Sequence, residues 1–161
     1  MDIYLDSEAQ SVFPQVLHAA QRHALELYVV TKDYLPAVAN LHLILLQDGQ
    51  KNGDAWIVGN IARGDICVTA DAGIASACML RGAVALCPSG RQWGVEVPTE
   101  RARGVSEAWP ASLRGFAVRL ETVILANRAV ASRDTSPVSG FARPGARPVV
   151  ARLPSARATA G

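Results

Sequence analysis

The sequence predicts an α/β fold, a three-layer sandwich built on a mainly parallel sheet. Short apolar runs typical of buried strands alternate with stretches whose apolar residues recur at helical spacing. Half of the 161 residues are hydrophobic and few are aromatic, which suits one domain with a sizeable core of small side chains. Turn-forming residues separate the runs at the spacing of successive β-α-β units.

The predicted elements follow from these apolar patterns. Strands are predicted at residues 3–5, 25–30, 41–46, 66–69 and 84–87. Helices are predicted at residues 14–23, 55–61 and 74–80, with Gly82 at the C′ position of the last. Residues 106–128 are predicted to hold one or two further helices, interrupted by Pro110 and Gly115.

The two halves of the chain differ in charge. Residues 1–96 carry six Lys and Arg against ten Asp and Glu, whereas residues 97–161 carry ten Arg against four acids. An acidic body suits a divalent cation, and an Arg-rich C-terminal half suits RNA or another nucleic acid. We expect a domain at residues 1–130 and a basic, irregular tail at residues 131–161, for which a solvated extension without a partner is the alternative.

The cysteines and the absence of targeting signals indicate a compartment. Cys67, Cys78 and Cys87 form no close pair and fall within apolar or helix-like runs, which predicts buried free thiols in a reducing environment. The acidic start has no secretory signal pattern, and no apolar run approaches the roughly 18 residues that cross a bilayer. We therefore expect a cytoplasmic protein without a membrane segment, and its oligomeric state stays open.

Four acidic residues stand where predicted strands end or a helix begins. Asp6 and Glu8 follow the first strand, Asp71 follows the fourth, and Asp54 opens a helix. Ligands of open α/β sheets bind beyond the carboxyl ends of the strands, so we expect Asp6 and Asp71 to face one another. Carboxylates there suit Mg²⁺ or Mn²⁺, which can lower the pKa of a bound water for attack on a phosphodiester. All four are candidate metal ligands, and Asp6, Glu8 and Asp71 are candidate catalytic residues.

Each candidate also has a structural interpretation. Asp54 and Asp71 both suit the N-cap of the helix that follows them. Glu8 suits a solvated loop, and Asp65 suits a turn at the opposite edge of the sheet. Thr69 either donates to a phosphate or metal-bound water, or is an ordinary strand residue. The three histidines share no metal-ligand spacing, and no nucleophile elbow or glycine-rich phosphate loop is present.

Four segments carry a resemblance to a known family. They read IYLDSEA at 3–9, GDAWIV at 53–58, GDICVTAD at 64–71 and RGAVALCPSG at 81–90. In this order and spacing they resemble the bacterial YaiI/YqxD family, uncharacterised proteins with a PIN-like fold. The resemblance spans about residues 1–93. It implies a metal-dependent nuclease with Asp6, Asp54 and Asp71 as its acidic site, and Glu8 where the family usually has a second Asp.

Departures from the family pattern leave two functions open. Gln10 and Ser11 replace a usual Cys-Pro pair, and Lys51 replaces a usually acidic residue, where its charge would compete with a cation. The chain is thus either a divalent-metal-dependent ribonuclease or a catalytically degenerate domain that binds nucleic acid or protein. A phosphatase of the haloacid dehalogenase type would need Asp at position 8 and a hydroxyl two residues later, and Glu8 and Gln10 supply neither.

Overall fold

Five parallel strands form the centre of the molecule. A computed structural model describes residues 1–46, 53–94 and 113–133. The strands are β1 (Ile3–Leu5), β2 (Leu27–Thr31), β3 (Leu41–Leu45), β4 (Ile66–Val68) and β5 (Val84–Leu86). Their order in the sheet is β3-β2-β1-β4-β5. The helices are α1 (Phe13–Arg22), α2 (Gly53–Asn60), α3 (Ala72–Leu80) and α4 (Leu113–Arg133), and a 3-10 helix at Ser7–Val12 joins β1 to α1.

Strand β1 is central and pairs with both neighbours in one register. Ile3 lies opposite Leu27 on β2 and opposite Ile66 on β4. All three residues of β1 and all three of β4 are buried and apolar. This continuous apolar character is expected of parallel strands, because helices cover both faces of their sheet.

Helices cover both faces and divide the core in two. On one face, Leu5 packs in a cluster with Val16 of α1 and Phe116 of α4. On the other face, Cys67 packs in a cluster with Ile57 of α2 and Ala75 of α3. The predicted three-layer α/β sandwich with a parallel sheet is therefore confirmed, and the architecture is consistent with a PIN-like sandwich.

The element boundaries differ from the predicted ones in a few places. Strand β2 begins at Leu27 rather than at residue 25. Ala24 has a left-handed backbone, with a φ of 51°, and lies in the turn between α1 and β2, so the extended backbone begins only after it. Of the segment predicted at 106–128, the residues from 113 onward are described, and they lie in the single helix α4, which Gly115 does not interrupt. Pro110 lies outside the described residues, as do most of the tail and residues 47–52. The division at residue 130 stays a prediction.

None of the helices in the described ranges is both long enough and apolar enough to cross a membrane.

Candidate functional site

The candidate site begins where β1 and β4 end. The backbone N–H of Asp6 donates to the carbonyl of Val68 over 3.0 Å, and the N–H of Thr69 donates to the carbonyl of Leu86 over 3.0 Å. The parallel ladder thus continues one residue past each strand. This pairing places Asp6 directly beside Thr69 at the carboxyl edge of the sheet.

Asp6 is a buried carboxylate with donors on both oxygens. Its side chain is 1% exposed. Oδ1 accepts the backbone N–H of Ser7 over 2.6 Å, which caps the 3-10 helix, and Oδ2 accepts the hydroxyl of Thr69 over 2.9 Å. Both bonds compensate for lost hydration, since a buried carboxylate without donors is costly. Asp6 therefore lies beneath the edge rather than on its surface.

Thr69 joins the two predicted acids. Its fully buried side chain donates to Asp6 and accepts the backbone N–H of Asp71 over 3.0 Å. Its carbonyl accepts the indole N–H of Trp93 over 3.1 Å. A single threonine therefore fixes the turn that carries Asp71 relative to the end of β1.

Asp71 is exposed and forms the N-cap of α3. Its Oδ1 accepts the backbone N–H of Ile74 over 2.9 Å, which satisfies one of the unpaired donors of the first helical turn. Among the described residues, its Oδ2 receives no hydrogen bond. The N-cap interpretation is therefore correct, and it leaves one carboxylate oxygen available to solvent or a ligand.

Asp54 lies in the first turn of α2, because that helix begins one residue earlier, at Gly53. Gly53 is pressed against β2: a Cβ there would lie 2.6 Å from Cγ1 of Val30. Partial burial, followed by the charges of Asp6 and Asp71, raises the pKa of the Asp54 carboxyl above its ordinary value. The negative charges of Asp6 and Asp71 therefore both oppose ionisation of Asp54.

Glu8 is placed differently from these three acids. It is exposed in the first turn of the 3-10 helix after Asp6, where a negative charge suits the helix dipole. The charges that raise the pKa of Asp54 are those of Asp6 and Asp71. Lys51, the other residue that bears on the predicted site, lies outside the described residues.

The carboxylates of the candidate site suit a cation that keeps most of its water molecules better than a cation bound entirely by protein ligands. Within residues 1–46, 53–94 and 113–133, no group of three or more His, Cys, Asp or Glu side chains is arranged to hold a metal ion. Mg²⁺ commonly retains several waters and uses one or two protein carboxylates. The free oxygen of Asp71 and the carboxylate of Asp54 meet that requirement, and a cation between them would relieve their repulsion.

Two of the histidines contact glutamates, and the cysteines are unpaired thiols. His23 contacts Glu121 and His42 contacts Glu26, each across 2.6 Å. All three cysteines are unpaired, as predicted, with Cys67 and Cys78 buried and Cys87 half-buried. A hydrogen bond with the Cys78 thiol, together with burial, raises the pKa of Cys67, so that thiol is held protonated in the core.

Sequence reasoning missed two residues beside the acids, Arg91 and Trp93. The guanidinium carbon of Arg91 lies 5.7 Å from the centroid of the Trp93 ring, and the indole N–H binds Thr69. The available signal was the turn at Pro88-Ser89-Gly90 followed by a cation and an aromatic residue two positions apart. The pattern is too short to indicate that the chain folds back against β5 and brings Trp93 to Thr69.

Fold and site together define a parallel α/β domain with acidic residues at the carboxyl edge of its central strands. A family model described as "Uncharacterized BCR, YaiI/YqxD family" matches residues 4–100. The chain belongs to this family, as the four segments indicated. The match extends past the end of β5, and α4 lies beyond it.

Bacterial relatives agree with the family match. The chain is 33% identical over 91 residues to a UPF0178 protein of Azorhizobium caulinodans, covering 55% of this chain and 57% of the relative. It is 36% identical over 94 residues to one of Agrobacterium fabrum, covering 55% and 60%. It is 37% identical over 94 residues to one of Rhizobium meliloti, covering 55% and 62%. The chain thus spans less than two thirds of each relative. No solved structure matches it.

Proposed function

We propose that this chain is a divalent-metal-dependent phosphodiesterase of PIN-like type that cleaves single-stranded RNA. The supporting observation is that Thr69 holds Asp6 beside the turn that carries Asp71, and that burial and then the charges of these two acids raise the pKa of Asp54. Carboxylates that repel one another at a sheet edge form a site whose charge a divalent cation would offset. The proposal assigns Mg²⁺ or Mn²⁺ to this edge.

Each acid has its own role in the proposal. Asp54 and the free oxygen of Asp71 would hold the hydrated ion, and Asp6, kept in place by Thr69, would add negative charge to the site. Glu8, exposed on the adjacent 3-10 helix, would orient the attacking water. When bound, the ion supplies an acidified water and neutralises charge on the phosphate.

The Arg-rich half supplies affinity for the polymer in this proposal. Helix α4 carries Arg114 and Arg128 on its exposed surface. Contacts between arginines and backbone phosphates give binding that weakens with salt and does not depend on sequence. Cleavage without strong sequence preference is therefore expected.

The test is cleavage of a fluorescently labelled single-stranded RNA with Mn²⁺ or with EDTA. We expect Mn²⁺-dependent cleavage, which Asp71→Asn lowers about 100-fold, because a neutral amide holds a hard, hydrated cation less well than the carboxylate it replaces. Glu26→Gln is the matched control, because Glu26 precedes β2 at the opposite edge of the sheet and contacts His42. A preparation without Mn²⁺-dependent cleavage, or a fully active Asp71→Asn variant, would contradict the proposal.

A second candidate is a domain that binds RNA or protein without catalysis. It is favoured by the hydrogen bonds on both oxygens of Asp6 and by the absence of a three-ligand group in the described ranges. Isothermal titration separates the two candidates. RNA binding without Mn²⁺ binding supports the second, whereas Mn²⁺ binding that Asp71→Asn removes supports the first.

A further inference from the structure

We infer that Arg91, seated against the ring of Trp93, binds a phosphate of single-stranded RNA and positions the strand across the acidic edge. This inference deepens the proposed function and takes its ligand class from it. The residues of the proposed site are acids, so a polyanion approaching them needs a fixed positive charge nearby. Arg91 is the exposed cation that the fold places beside Thr69 through Trp93.

The backbone that carries Arg91 is held in place. The N–H of Cys87 donates to the carbonyl of Arg91 over 2.7 Å, and the N–H of Gly90 donates to the carbonyl of Cys87 over 2.8 Å. Gly90 has a φ of +87°, and a Cβ there would lie 3.4 Å from the Cα of Phe116 in α4. Leu86 and Gln92 add an antiparallel bridge. The turn is therefore held by backbone contacts with the end of β5 and by its close approach to α4.

Trp93 is anchored in the same way. Its backbone N–H donates to the carbonyl of Ala85 over 2.9 Å, and its indole N–H donates to the carbonyl of Thr69 over 3.1 Å. The ring packs against the buried cluster under α2 and α3. The indole therefore contacts Thr69 through its N–H and Arg91 through the face of its ring.

Arg91 keeps its hydrogen-bonding capacity for a ligand. Its side chain is exposed, and no carboxylate in the described part of the chain forms an ion pair with it. Contact with an aromatic ring orients a guanidinium without using its N–H donors, which match the oxygens of a phosphate in a two-point contact. The indole of Trp93 links this guanidinium to the carbonyl of Thr69, which places the proposed phosphate contact next to the end of β4.

The experiment measures binding of a labelled oligouridylate by fluorescence anisotropy in EDTA, where cleavage does not occur. Arg91→Ala is expected to weaken binding about fivefold and to lower the slope of log affinity against log salt by about 1. Arg91→Lys is expected to keep the slope and lose part of the affinity, because Lys retains the charge but not the planar guanidinium that can make a two-point contact with phosphate. Arg22→Ala is the matched control, since Arg22 is exposed at the far end of α1.

Each outcome supports or overturns the inference. Wild-type affinity and slope in Arg91→Ala, an equal loss in Arg22→Ala, or no oligouridylate binding by the wild type would overturn it. Cleavage kinetics in Mn²⁺ separate it from the proposed function. A KM that rises in Arg91→Ala with kcat nearly unchanged supports both, whereas an unchanged KM overturns the inference and leaves the nuclease intact. Arg91-dependent binding without any cleavage overturns the nuclease and leaves the inference standing.

Discussion

Thr69 binds Asp6: its hydroxyl donates to Oδ2 of the carboxylate over 2.9 Å, although 63 residues separate the two in sequence. The hydroxyl oxygen of Thr69 in turn accepts the backbone N–H of Asp71 over 3.0 Å. One buried side chain therefore sets the spacing between the two strand ends that carry the proposed site.

Replacing Thr69 with Val keeps its shape and removes both bonds. We expect the free energy of unfolding to fall by about 1–3 kcal/mol, because a buried carboxylate and a backbone N–H each lose a partner. Urea unfolding measures this loss. Thr122→Val is the control, since that hydroxyl is exposed and bonds only its own helix, at the carbonyl of Val118. Equal effects of the two substitutions would show that the Asp6 contact adds no stability.

Replacing Asp54 with Asn is expected to stabilise the fold at neutral pH. A raised pKa means that the folded chain holds the Asp54 proton more tightly than the unfolded chain does. The free energy of unfolding of the wild type therefore falls as the pH rises from the ordinary pKa of 3.8 through the raised value. Because solvent screens this exposed group, the gain at pH 7 is at most about 1 kcal/mol.

Thermal unfolding against pH checks the Asp54 prediction. The gain from Asp54→Asn should shrink at a pH below 3.8, where the wild-type carboxyl is protonated in both states. Asp33→Asn, in the exposed loop after β2, controls for the general loss of a negative charge. A gain that is the same at every pH would argue against repulsion among the three carboxylates.

Two glycines of α2 provide a matched pair. Gly53→Ala is expected to cost about 1–3 kcal/mol, because its Cβ would lie 2.6 Å from Cγ1 of Val30 and the helix must move. Gly59→Ala has nothing within 4 Å and is expected to stabilise the helix by about 0.5–1 kcal/mol. Chemical denaturation should give opposite signs. In the cleavage assay, only Gly53→Ala should lower activity, since it displaces Asp54.

Phe116 tests the place of α4 in the domain. Its side chain is fully buried against the β1 face of the sheet, so Phe116→Ala should cost about 3–5 kcal/mol in urea unfolding. Leu125→Ala, on the same helix but 57% exposed, should change stability by less than about 0.5 kcal/mol. Similar small losses for both would mean that α4 is not part of the core.

The strands could be predicted from the sequence because buried parallel strands appear as short, continuous apolar runs. Ile3-Tyr4-Leu5 and Ile66-Cys67-Val68 are uniformly apolar, and each ends at a polar residue at the same edge of the sheet. Helix α4 was harder to place, because its buried side chains, such as Phe116, find their partners on strands about 30 to 110 residues away in sequence. Periodicity identifies a helical face without naming what it covers.

The site could be predicted in part. The acids at strand ends follow from chain order, but the burial of Asp6 depends on a hydroxyl 63 residues away. The N-cap alternative for Asp54 was wrong, because α2 already includes Gly53 and places Asp54 in its first turn. The position of Arg91 and Trp93 near Thr69 could not be predicted, because it depends on the turn after β5 that reverses the chain.

The central position of β1 has a consequence for how the chain folds. Ile3 pairs with Leu27 on one side and with Ile66 on the other, so one neighbour is near in sequence and the other is distant. Closing the longer loop, between β1 and β4, costs more chain entropy before new strand contacts offset that cost. We therefore expect β4 to pair with β1 more slowly than β2 does. During synthesis β1, β2 and β3 emerge first and leave one side of β1 unpaired. Thr69 can bind Asp6 and fix the turn that carries Asp71 only after β4 has paired with β1, so we expect these two acids to be brought together late in folding.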